Sequence, residues 1–200
     1  MPFLQQPIWT GIGFGIAATA AALVKLPANA AASLASILSG ILSRRVSVRS
    51  IMIPAAVASA AGWLGLALAH NNFWLSAAMI IVLIVPGGSV LLVMTPQIII
   101  QSAPEERTSE ATGLTQVNRA FGKAIGVQII ALCFASAQVA TPDGRGSFPA
   151  ESAYEAIFLV CGILSLISLV LVFALPKGEP IATQDKDNSR AGAAPMAEHV

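Results

Sequence analysis

The chain has 200 residues, 56% of them hydrophobic and only 10% charged. A soluble domain of that length carries about 25% charged residues, so an ordinary water-soluble fold is excluded. The net charge of +1 offers no electrostatic case for nucleic acid, and no such partner is expected.

Residues 1–15 read as an interfacial lead-in on the outer side. Phe3 and Trp9 suit the membrane–water boundary, while Gly11, Gly13 and Gly15 discourage a helix before about residue 15. The first span is expected at 16–42. It is alanine-rich and carries Lys25 and Pro27; a proline is tolerated where neighbouring groups re-satisfy the carbonyl it frees. A shorter helix starting at Pro27 would suit proline's first-turn preference, but the apolar run Ala17 to Val24 favours the longer one. Arg44, Arg45 and Arg49 then make a short basic loop. The second span is expected at 51–69, followed by the polar turn His70-Asn71-Asn72.

The third span is expected at 73–100. From Ser50 to Pro104 there is no Asp, Glu, Lys or Arg, and His70 is the only titratable residue. No soluble core needs so long an uncharged run, whereas two membrane helices with a tight turn do. At ~1.5 Å per residue the third span would be about 42 Å long, against a hydrocarbon core of ~30 Å. A tilt or kink is therefore expected, with Pro86-Gly87-Gly88 and Pro96 as its sites. Ser102 to Glu110 form a polar loop in which Ser109 is placed to cap the fourth span, expected at 112–137. A longer loop, 138–153, holds the turn formers Pro142, Asp143-Gly144 and Gly146. The fifth span, 154–175, ends at Pro176, and 177–200 read as a disordered tail. The fold class is thus all-α, a polytopic bundle of about five transmembrane helices whose first partner is the lipid bilayer.

Basic residues set the orientation. Arg44, Arg45, Arg49, Arg107, Lys177, Lys186 and Arg190 fall on one side, and only Arg145 falls in the opposite segments. The first side is expected to be cytoplasmic, which puts the N-terminus outside and the C-terminus inside. Met1 to Thr10 lacks the basic stretch of a secretory signal, so insertion is expected to run through the spans themselves. Cys133 and Cys161 fall in apolar runs and read as small packing residues.

The segment from Gly40 to Arg49, with Arg44 and Arg45 inside it, resembles the glycine-then-basic loop of the major facilitator superfamily, in the weaker form found between spans eight and nine. The family usually has an acidic residue where Arg44 stands and a glycine where Ser47 stands. Gly13-Phe14-Gly15 with Leu23 to Pro27 is similar to the start of span eight in drug-efflux members. Pro104-Glu105-Glu106-Arg107 with Ala111 to Leu114 resembles the loop between spans ten and eleven. Arg119 to Gly126 resembles the start of span eleven, with Lys123 at a position that is usually small. The resemblance covers residues 10–176 and is nearest to bacterial multidrug-type proton antiporters. It implies a partial fold of spans eight to twelve in a bacterial inner membrane, with an N-terminal transporter half as a missing partner.

No Ser/His/Asp grouping, metal-ligand spacing or phosphate loop can be built, so neither an enzyme, a metal nor a cofactor is expected. Pumps commonly move protons through an intramembrane carboxylate, and all ten acidic residues fall outside the hydrophobic centres of the spans. Lys25 lies in the outer half of the first span, where an isolated cation costs about 2.5–3.5 kcal/mol unless it snorkels or faces a cavity. Lys25, Asn29, Ser33, Ser36 and Gly40 share one helical face, which suits a cavity or a neighbouring helix. Arg119 and Lys123 share a face near the cytoplasmic end, suited to headgroup contact or to a vestibule for anions. Gly122 and Gly126 form a small pair suited to close helix packing. Gln97, Asn118 and Gln128 are candidates for lining a cavity or for interhelical hydrogen bonds.

The resemblance implies alternating access around a midplane site. The expected function is that of a C-terminal fragment of a secondary active transporter, exporting a small amphipathic substrate by proton coupling. The alternative is a structural or partner-binding membrane subunit that does not transport.

Overall fold

The computed structural model describes residues 5–10, 14–102, 107–141 and 146–175. After a 3-10 turn at Ile8–Thr10 come α1 (Ala18–Leu42), α2 (Val48–Ala69), α3 (Phe73–Met79), a π-helical turn (Ile80–Ile84), α4 (Val85–Ser102), α5 (Thr108–Ser136) and α6 (Glu151–Ala174). α3, the π turn and α4 run on as one span, so five helices are long and apolar enough to cross a membrane. The expected tail, 177–200, lies outside the described residues.

The outside of the bundle is greasier than a water-facing surface tolerates. Leu68 is 86% exposed, Trp74 80% and Val170 66%. Such patches are solvated by lipid, and the buried positions can then be small. On α2 the buried set includes Ala55, Ala56, Ser59, Ala60 and Gly62. These residues let neighbouring backbones come close. A Cβ on Gly87 of α4 would stand 2.7 Å from the Ala55 carbonyl oxygen, and one on Gly162 of α6 would stand 2.6 Å from Leu64.

α2 and α6 form the most extensively packed pair, α4 packs against α1 and α2, and α5 leans more lightly on α4 and α6. The α2–α6 pair is antiparallel and tied at both ends. At one end Arg49 donates from Nη2 to the Phe173 carbonyl at 2.7 Å. The last carbonyls of a helix have no intrahelical partner, and a cation there also opposes the helix dipole. At the other end His70 Nε2 lies 2.9 Å from Glu151 Oε1. Asn72 caps α3, its Oδ1 accepting from the Trp74 and Leu75 N–H groups.

Three local features differ from the sequence reading. The distortion of the third span begins before Pro86, in the π turn, where the Val85 N–H reaches Ile80 one residue further back than in an α-helix. Pro86 has no N–H to offer, and a π turn is one way a helix absorbs that loss. α5 starts at Thr108, so Ser109 sits inside its first turn and Arg107 takes the cap position. The loop expected at 138–153 holds a small antiparallel hairpin, β1 (Gln138–Ala140) with β2 (Ser147–Pro149), and α6 already begins at Glu151.

Candidate functional site

The polar stripe of α1 does not turn inward. Lys25, Asn29 and Ser33 are exposed, Ser36 and Gly40 half-buried, while Ala21, Ala28 and Ser39 on the other side are buried. A Cβ added at Gly40 would meet nothing within 4 Å. The face therefore exists, but no other described helix of this chain covers it.

α5 is exposed around most of its surface. Thr115 is its one buried residue among those described. Asn118, Lys123 and Gln128 are exposed. The close packing expected at Gly122 and Gly126 is not met among the described residues, where neither has a heavy atom within 4 Å of a built Cβ. Exposed amide and ammonium groups set around a helix in this way are an expensive arrangement in hydrocarbon.

Between α4 and α5 lies an open cavity of about 460 Å³, lined by Thr95, Ile99, Leu114, Thr115, Asn118 and Arg119. Arg119 is the group that ties its two walls. Pro96 lacks an N–H, so the Leu92 carbonyl loses its helical partner. Arg119 Nη2 donates to that carbonyl from the neighbouring helix. The guanidinium thus re-satisfies a proline-freed acceptor. Gln97, one residue on, keeps its side-chain Oε1 buried and without a hydrogen-bond partner. In the basic loop, Arg44 and Arg45 point outward while Arg49 makes the tie to α6 described above.

A second cavity, also about 460 Å³, sits between α2, the π turn, α5 and α6. Trp63, Leu66, Ile84, Phe134, Tyr154 and Phe158 contribute to its walls. The Phe134 and Tyr154 rings meet edge to face at 5.1 Å. Gln6 donates to the Tyr154 hydroxyl at 3.0 Å, which holds the tyrosine at the rim. No motif marked these aromatics in the sequence; their only signal is a position near helix ends.

Of the expected cavity residues, only Asn118 therefore lines one of these two spaces, joined by Arg119. Lys25, Asn29, Ser33 and Gln128 lie on open faces. A further grouping is invisible in linear order: His70, Glu151 and Glu155 converge at one end of the α2–α6 pair.

Compared with known proteins, the chain matches the family model described as Major Facilitator Superfamily over residues 1–199. No curated protein and no solved structure matches it.

Proposed function

The chain belongs to the major facilitator superfamily, and from that premise we propose that it forms one wall of a secondary active exporter of small amphipathic compounds. Members of the family are multi-pass membrane transporters rather than enzymes. The observation that carries the reading is the uncovered polar face from Lys25 to Gly40 on α1, together with the exposed Asn118, Lys123 and Gln128 around α5. Both helices contact α4, so α1, α4 and α5 are placed on the side of the transport path.

In this reading the five spans correspond to spans eight to twelve of the family fold. The facing wall, and the carboxylate that couples transport to protons, come from sequence outside these residues. The basic Arg44–Arg49 loop is cytoplasmic, the N-terminus is external, and the membrane is a bacterial inner membrane. The aromatic cavity takes the apolar part of the compound, and the Asn118–Arg119 cavity its polar part.

Binding and transport should separate in the chain alone. In detergent, an amphipathic anionic dye should quench the fluorescence of Trp63 saturably, and Phe134→Ala should weaken the quench. In liposomes the same chain without a partner should carry no dye flux. Quenching that Trp63→Phe leaves unchanged, or clear flux by the chain alone, would overturn the reading.

A further inference from the structure

We propose that His70, Glu151 and Glu155 form a binding site for a first-row divalent cation, Zn²⁺ in the first place, that staples the α2–α6 pair at the end opposite Arg49. The ring of His70 is at the centre of the site. It is 4% exposed, and its two nitrogens face two acceptors. Nδ1 lies 3.3 Å from the Ala67 carbonyl, and Nε2 lies 2.9 Å from Glu151 Oε1. Either a hydrogen or a metal ion must lie between Nε2 and the carboxylate oxygen; with a metal ion there, Nδ1 carries the ring hydrogen and donates it to the Ala67 carbonyl.

Glu155 distinguishes the two. Its Oε1 lies 3.9 Å from Nε2, too far for a hydrogen bond to the ring. A simple histidine–carboxylate pair has no use for it. A metal does, because Glu151 and Glu155 stand four residues apart on one face of α6 and supply two oxygens beside the nitrogen. The three donor atoms all lie within 4.8 Å of one another. Small side-chain rotations bring such a set around one ion at the ~2.0–2.2 Å lengths of Zn–N and Zn–O bonds. The Nδ1–H donated to a backbone carbonyl is the outer-shell contact that holds a zinc-binding histidine in its tautomer. The ring is further held by Phe158, whose ring centroid lies 6.4 Å away, and by the Ser76 hydroxyl, which donates to the His70 carbonyl at 3.2 Å. Both glutamates are partly exposed, which leaves a coordination position for water and a path for the ion. The inference is independent of the transport reading.

The test uses the purified full-length chain in detergent, zinc chloride and a chromophoric zinc chelator as competitor. One Zn²⁺ should bind per chain and raise the melting temperature. Glu155→Gln should weaken binding by at least about tenfold, the loss that even an outer-shell change brings. It should leave the metal-free melting temperature unchanged, because the His70–Glu151 contact persists. Cys133→Ala, Cys161→Ala and His199→Gln should bind zinc as the parent does. No saturable zinc binding would overturn the proposal and leave a proton-mediated tie between His70 and Glu151. Binding that survives Glu155→Gln would overturn it equally.

Discussion

Gly87→Ala should destabilise the bundle, while Gly88→Ala, one residue on, should be neutral or stabilising. Helix propensity alone favours alanine at both positions by about 0.5–1 kcal/mol. At Gly88 a new Cβ meets nothing within 4 Å, so propensity decides. At Gly87 it would stand 2.7 Å from the Ala55 carbonyl oxygen and 3.1 Å from the Ser59 nitrogen. Both are backbone atoms of α2, which cannot rotate away as a side-chain end can. α4 must then withdraw from α2, at the roughly 1–3 kcal/mol typical of an overpacked core. The shift would spread to Val90 and Met94, which share the inner core with Ile51, Met52 and Ala55. Thermal unfolding in detergent reads the two signs directly. Equal effects at the two glycines would show that α4 and α2 are not in contact here.

Arg119→Ala should cost about 1.5–3 kcal/mol, the net worth of a hydrogen bond from a charged group, and should cost much less when Pro96 is also replaced by alanine. Pro96 cannot donate to Leu92, and a backbone carbonyl left without a donor at membrane depth is costly. Arg119 supplies the missing donor. An alanine at 96 returns the N–H to its own helix, so the guanidinium becomes dispensable for that carbonyl. A double-mutant cycle on thermal stability should therefore give a coupling of about 1 kcal/mol or more. Simple additivity would mean that Arg119 serves the headgroups or the cavity and not the proline break.

What the sequence made legible followed from strong, short-range rules. The uncharged run from Ser50 to Pro104 announced lipid as solvent, and a helix is how a segment satisfies its peptide groups there. Five such stretches were legible, and the structure has five helices long and apolar enough to cross a membrane. The π turn was harder, because nothing in Ile80–Ile84 differs from an ordinary apolar helix; the cause lies downstream, in Pro86. Pro96 did carry a readable consequence, since a proline always frees the carbonyl four residues earlier. Which side chain satisfies it depends on how α5 lies on α4, and that is tertiary information. The same holds for His70 and Glu151, 81 residues apart. The stripe of Lys25, Asn29 and Ser33 was legible as a face, because helical periodicity is local. That no other described helix of this chain covers it was not legible, since that depends on how the spans assemble.

The central claim is that these helices cross a membrane with the basic loop inside. Single cysteines at Ser50 and at Asn71, in a chain carrying Cys133→Ala and Cys161→Ala, test it in intact bacterial cells with a membrane-impermeant maleimide. The account predicts labelling at 71 in intact cells and at 50 only after the membrane is opened. Labelling at 50 in intact cells, with 71 protected, would contradict it.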